Sequence, residues 1–221
     1  MYRVEHQSPR PTLADRVELR FSTSRQVDGL WVGVSIDSEP EPILERVEAA
    51  LRLIKVYDRL RYDRLMRDFE RVWVRPLPGA LGNFNRALLA CELDRAFVLA
   101  ETSRPELIAA TIVHEATHAR LLRCGIGYEE ELRPRVEAVC LRRELVFAAK
   151  LPNGEQVRDF AERTFVVCTT PGYWTDTAVS ERRDRDYMEA LRNLGVPNWL
   201  VRTIFSLRTL HIYLMRLIRR R

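Results

Sequence analysis

Residues 107–122 read LIAATIVHEATHARLL, and this stretch decides the fold. Almost every position is apolar or small, which is typical of a helix that is buried on all sides. The stretch contains the pattern H-E-x-x-H, formed by His114, Glu115 and His118. Residues four apart share one helix face, so both imidazoles can bind one Zn²⁺ while Glu115 takes a proton from a zinc-bound water. Because a buried, unpaired carboxylate is costly, a bound cation gives this arrangement a physical reason.

The third zinc ligand is expected on the next helix. The first helix runs about 9 Å beyond His118 before Gly125 ends it. If the next helix returns antiparallel, Glu137 lies about 9 Å from the turn and level with His118, whereas Glu144 overshoots His118 by about 10 Å. Glu137 is therefore the predicted ligand, against the alternative of a solvated surface carboxylate. Cys140, one turn further on, is the rival ligand, or else a small buried hydrophobic residue.

Residues 96–144 resemble the gluzincin zinc metallopeptidases, in which H-E-x-x-H lies on one helix and a glutamate on a following helix completes the site. The chain looks most similar to the small bacterial members called minigluzincins. The resemblance implies Zn²⁺ as the cofactor, with His114, His118 and Glu137 as its ligands. It also implies that Glu115 acts first as general base and then as general acid.

The surrounding positions partly follow the family pattern. Thr111 stands where the extended pattern has Val or Thr, three residues before the first histidine. Arg120 departs from the pattern, which has a hydrophobic residue two positions after the second histidine. Leu141 stands where some gluzincins have an aspartate that orients a histidine. The groups that orient the ligands are therefore expected from elsewhere in the chain.

The resemblance implies two further parts of the site. An antiparallel edge strand before the metal helix would bind the peptide by β-augmentation. The expected strand, which could equally be an ordinary core strand, consists of Ala96, Phe97, Val98 and Leu99. A Tyr or His after the metal helices would stabilise the oxyanion, and Tyr173 and His211 are the predicted donors, with Tyr187 also available. The alternative for each is an aromatic ring that only packs.

The order of elements predicts an α+β fold: a zincin-like core, with a small antiparallel or mixed sheet packed on the H-E-x-x-H helix, and then an all-helical C-terminal half. We expect a β-hairpin extension over 1–40, the metal-binding core over 41–150 and a helical subdomain over 151–221. The expected elements of the first half are strands at 17–21 and 30–36 joined by a turn at Asp28-Gly29, one helix over 42–69, a strand at 71–75, a loop at 76–85, and a hairpin formed by 87–93 and 96–100.

Composition limits the partners and the compartment. The net charge of +5 is mild and gives no strong nucleic-acid signal. The four cysteines form no C-x-x-C pair, which favours a reducing compartment over a disulfide framework. Residues 1–11 show no apolar signal-peptide region and no ordinary transmembrane segment appears, so we expect a cytoplasmic protein. The predicted helix over 197–218 is a core helix or, alternatively, a contact with a membrane surface or a partner.

These observations predict a zinc-dependent peptidase that hydrolyses peptide bonds of a peptide or protein substrate with a water activated by Glu115. The alternative is a catalytically weak or inactive zinc-binding module that serves protein–protein interaction or regulation. The departures at Arg120 and Leu141 motivate this alternative. A third interpretation is a basic nucleic-acid or membrane-associated protein with structural zinc.

Overall fold

The computed structural model describes residues 10–203 and 205–206, which divide into two compact units at 174/175. The first unit is α+β and the described part of the second is helical. The helices of the first unit are α1 (Leu13–Arg20), α2 (Pro40–Tyr57), α3 (Arg59–Asp68), α4 (Arg95–Leu99), α5 (Pro105–Arg123), α6 (Arg133–Ala148) and α7 (Glu155–Cys168). Its strands are β1 (Thr23–Val27), β2 (Leu30–Val34), β3 (Arg71–Arg75), β4 (Gly82–Asn85) and β5 (Ala90–Asp94).

The five strands form one mixed sheet in the order β1-β2-β3-β5-β4. The central pairs β2–β3 and β3–β5 are parallel, while β1–β2 and β4–β5 are antiparallel hairpins at the two edges. Asp28 and Gly29 have φ values of +51° and +88°, which a tight type I′ hairpin turn between β1 and β2 requires. The predicted turn is therefore confirmed.

The two faces of the sheet carry different layers. Val72 and Val74 of β3 point into the main core, which the larger helices cover. Trp73 points to the opposite face, where Leu19 of α1 packs against it. This alternation follows from the two-residue period of a strand. It places α5 on the side of the sheet with the main core.

Two of the elements expected before β3 differ from the structure. Residues 17–21 are predicted as a strand, but Val17 lies in α1, and the strand that pairs with β2 is Thr23–Val27. The single helix predicted over 42–69 is broken at Asp58, which ends α2 and caps α3 by accepting a hydrogen bond from the Arg61 amide at 3.4 Å. The strand predicted at 71–75 is confirmed.

The hairpin before α5 is formed by residues other than the predicted ones. The loop predicted over 76–85 contains β4, which pairs antiparallel with β5. The residues predicted as a substrate edge strand, Ala96 to Leu99, instead form α4. Asp94 explains the switch, because its carboxylate accepts a hydrogen bond from the Phe97 amide at 2.9 Å and starts a helix there. The edge-strand prediction for these residues is wrong.

The second unit contains α8 (Asp176–Asn193), and residues 198–203 and 205–206 are also helical. The remainder of the helix predicted over 197–218, including His211, lies outside the described residues. The boundary at 174/175 differs from the boundaries predicted at 40/41 and 150/151. Within the described residues, the structure has no helix of the length and apolarity that a membrane span needs.

Candidate metal centre

The candidate site lies between α5 and α6, which run antiparallel. His114 contacts Glu144 while His118, one turn further along α5, contacts the earlier residue Glu137. α5 begins at Pro105 and ends at Arg123, and Gly125, with φ of +79°, follows its end. The antiparallel return and the position of Glu137 level with His118 are therefore as predicted.

Three donor groups converge at this point. The Nε2 atom of His114 lies 3.2 Å from one carboxylate oxygen of Glu137, and the Nε2 atom of His118 lies 3.4 Å from the other. Two atoms bound at about 2.1 Å to a tetrahedral ion are about 3.4 Å apart. The separations from the Glu137 carboxylate to the two imidazoles therefore match those of ligands that share one zinc ion.

Glu144 makes a contact that the helical rise did not predict. Its carboxylate bonds to Nδ1 of His114, on the side of the ring opposite to Glu137. Glu144 is two turns beyond Glu137, so it passes His118, as predicted. His114 lies about 6 Å before His118 in α5, which is the direction in which the antiparallel α6 runs. The long side chains close the remaining distance. With Nδ1 held by this carboxylate, Nε2 of His114 is directed at Glu137.

The pKa values of the two histidines are shifted in opposite directions. Burial alone would lower the pKa of His114, but its hydrogen bonds to Glu137 and Glu144 outweigh burial and hold it well above the ordinary range. Burial lowers the pKa of His118 to about 4, so this imidazole is neutral, as a ligand must be. The contacts with both histidines lower the pKa of Glu137 in spite of its burial.

Glu115 is held between the metal helix and the sheet. Burial raises the pKa of its carboxyl to about 7, and the negative charges of Glu137 and Glu144 act in the same direction. The backbone amide of Phe84 in β4 bonds to this carboxylate and opposes the rise. A pKa near 7 suits a group that must accept a proton and later return it.

Gly82 allows β4 to lie close to this carboxylate. A Cβ atom on Gly82 would lie 2.7 Å from Cγ2 of Thr111 and 3.1 Å from Oε1 of Glu115. The first distance is too short for any side chain, so glycine is needed for the close approach. Gly82 and Phe84 were not predicted as site residues, because nothing in their local pattern indicates this contact between β4 and α5.

Tyr128, in the loop between α5 and α6, is a further site residue that the sequence analysis missed. Its hydroxyl donates to Glu137, and its ring lies edge-on to the His118 ring with a centroid distance of 5.3 Å. Burial, together with the Glu137 charge, raises the pKa of this phenol, so it remains a donor at neutral pH. Its place directly after the metal helix is the one sequence signal that could have indicated it.

Cys140 also reaches the site. Its side chain is fully buried, and its Sγ atom and one nitrogen each of His114 and His118 all lie within 4.8 Å of one another. Cys140 follows Glu137 by three residues, so the two side chains share one face of α6. Glu137 and Cys140 are therefore not exclusive alternatives, because both side chains reach the two histidines.

The remaining predicted positions lie elsewhere. Arg120 is exposed, which accounts for a charged residue at a position where the family has a hydrophobic one. Leu141 is buried in a cluster with Ala161 and Cys168, and Tyr173 packs against this cluster and, edge to face, against Trp174. The predicted role of Tyr173 as oxyanion donor stays a prediction.

The comparisons with known proteins add no relative: no family model, no curated protein and no solved structure matches this chain.

Proposed function

We propose that this protein is a zinc-dependent peptidase with a zincin-like core. One observation carries the proposal: two imidazole Nε2 atoms face the same carboxylate, Glu137, at distances of 3.2 and 3.4 Å, beside the buried Glu115. Two histidines and one glutamate are a common ligand set of catalytic zinc, which keeps a further position open. Zinc at this position would supply a Lewis acid that lowers the pKa of water.

Three residues around the proposed zinc ion have separate roles in the reaction. Glu115, buried beside the two histidines, would take the proton of the attacking water and return it to the departing amine. Glu144 fixes the ring of His114, and Tyr128 fixes the carboxylate of Glu137. Such outer contacts hold ligands in a binding orientation. They take the place of the aspartate that some gluzincins have at the position of Leu141.

β4 is the proposed strand for the peptide substrate, in place of residues 96–99. It forms one edge of the sheet and lies against α5 at Glu115. The Asp94 amide donates to the Leu81 carbonyl at 2.9 Å, so the alternating antiparallel pattern turns the backbone groups of Gly82 and Phe84 away from β5. The Phe84 amide is bonded to Glu115, so the Gly82 groups and the Phe84 carbonyl are the ones that a peptide would pair with. An extended peptide that pairs with this edge would pass close to Glu115.

The proposal is tested with the purified full-length protein, metal analysis and cleavage of a denatured protein substrate. We expect one equivalent of zinc, which is lost in His114→Ala. We expect Glu115→Gln to keep the zinc and to lose about 10²- to 10⁴-fold in cleavage rate, the usual contribution of a general base. Glu162→Gln, at an exposed position of α7, is the matched control and should behave as wild type.

A second candidate function, a zinc-binding interaction or regulatory module without turnover, is supported by the nearness of the Cys140 thiol to both histidines. A fourth protein ligand would close the site, as in structural zinc centres. Zinc binding with no cleavage in wild type, across a broad peptide library, would favour this function over the peptidase. Absence of zinc binding would contradict both.

A further inference from the structure

We propose that Cys140 is a fourth zinc ligand, so that the resting site is a closed His₂-Glu-Cys centre and not an open one. The inference rests on the zinc site proposed above and concerns its regulation. It assigns a role to a thiol that the peptidase mechanism does not use.

The geometry supports this assignment. A sulfur bound at about 2.3 Å and a nitrogen bound at about 2.1 Å to one tetrahedral ion are about 3.6 Å apart. Sγ of Cys140 already lies within 4.8 Å of a nitrogen of His114 and of His118. A shift of at most about 1 Å brings the sulfur to the separation that two ligands of one zinc ion have.

The placement of Cys140 on α6 also supports it. Glu137 and Cys140 are three residues apart on one helix face, and both face the same two histidines of α5. Both are buried, with 6% and 0% of their surface exposed. Glu137 contacts both histidines, and Sγ of Cys140 lies within 4.8 Å of a nitrogen of each, so the helix pair offers the four protein ligands that complete the tetrahedron of zinc.

A closed centre has a direct consequence for catalysis. The sulfur occupies the position that a water molecule needs for attack on the substrate, so Cys140 must withdraw before Glu115 can act. Removing the thiol should therefore weaken metal binding and, at saturating zinc, increase the cleavage rate. A cysteine that is only a small buried hydrophobic residue would have neither effect.

Cobalt in place of zinc gives a readout that is independent of activity. We expect the full-length protein with one equivalent of Co²⁺ to show a near-ultraviolet thiolate-to-cobalt charge-transfer band. The band should vanish in Cys140→Ser and in Cys140→Ala, and it should persist in the control Cys124→Ser, since Cys124 is an exposed thiol. We expect zinc affinity to fall more than about 100-fold in Cys140→Ala, beyond the usual loss for an outer contact.

The outcomes separate this inference from the proposed function. Stoichiometric cobalt without the band, or a band that survives in both Cys140 variants, overturns the fourth-ligand assignment and leaves the His₂-Glu site standing. Absence of any metal binding overturns the zinc site itself. Thermal unfolding of each variant in the presence of a chelator shows whether it is folded, and Cys140→Ser preserves the side-chain volume if Cys140→Ala does not fold.

Discussion

At the scale of single residues, the three carboxylates that we propose as ligand, base and support differ in what each one touches. Glu137 faces two imidazole nitrogens, Glu115 faces the β4 backbone, and Glu144 faces the far side of the His114 ring. All three are buried, and buried carboxylates are retained only where other groups compensate their charge. Their different neighbours, rather than their residue type, assign the roles.

Glu144→Gln should reduce zinc affinity by about 10- to 100-fold, because the amide cannot accept the Nδ1 proton of His114 with the strength of a carboxylate. The measurement is competition with a chromophoric chelator. Glu162→Gln serves as the control for the same chemical change at an exposed helix position. An unchanged affinity in Glu144→Gln would show that the contact with His114 does not orient the ligand.

Tyr128→Phe removes the hydroxyl that donates to Glu137 and keeps the ring against His118. We expect zinc to bind about tenfold more weakly, at the lower end of the effect of outer contacts, since Glu137 keeps its histidine partners. The same chelator competition measures it. Tyr173→Phe, at a ring that packs against Trp174, is the matched control and should leave zinc affinity unchanged.

At the scale of elements, the site depends on how closely β4 lies against α5. Gly82→Ala would place a methyl group 2.7 Å from Cγ2 of Thr111. Overpacking of this kind costs about 1–3 kcal/mol. We expect lower stability in denaturant and a lower cleavage rate, because the Phe84 amide would move away from Glu115.

A second substitution makes this prediction specific. Thr111→Ser removes Cγ2 and keeps the hydroxyl, which donates to the Leu107 carbonyl at 3.0 Å. The double variant Gly82→Ala, Thr111→Ser should regain part of the lost stability relative to Gly82→Ala alone. If the double variant is no more stable than the sum of the single changes, the steric explanation is contradicted.

The junction of α2 and α3 gives a prediction on pH. Asp58 is buried, and its carboxylate pairs with Arg61 and Lys150, each at 2.9 Å. Burial raises its pKa, but the hydrogen bonds from Lys150 and Arg61 prevail, so the folded-state pKa lies below the usual value. A depressed pKa contributes stability above the unfolded-state value of about 3.9, and this contribution is lost as the pH falls through the folded-state value.

Asp58→Asn should therefore lower the free energy of unfolding at pH 7 by about 1–3 kcal/mol, with the helix cap retained because Asn also caps. The difference from wild type should shrink as the pH falls below about 4. Denaturant titrations at several pH values measure it. Asp63→Asn, in an exposed ion pair of the same helix, is the control and should change stability by less than about 1 kcal/mol.

At the scale of the whole molecule, the described donor groups of the candidate site all belong to the first unit, which ends at Trp174. α7 belongs to this unit because Val157 is buried in the main core and Ala161 packs with Leu141 of α6. The packing of α6, which carries Glu137, therefore depends on α7.

A chain truncated after Trp174 should bind one zinc ion with the affinity of the full chain, measured by chelator competition. Truncation after Lys150, the end of the core expected from the sequence, removes α7 and exposes apolar surface of α6. This shorter chain should unfold at a lower temperature or fail to fold. Equal stability of the two fragments would contradict the assignment of α7 to the metal-binding unit.

The sequence by itself determined the local features: the buried helix α5, the strand β3, and the position of Glu137 level with His118, through turn length and helical rise. These follow from periods and lengths along one segment of chain. Only the tertiary structure decided which groups surround them. The contacts of Glu144, Gly82 and Cys140 depend on how α6 is rotated and how near β4 lies, and the buried Asp58 carboxylate pairs with Lys150, far away in the sequence. Such contacts are set by packing between distant segments, which no local pattern specifies.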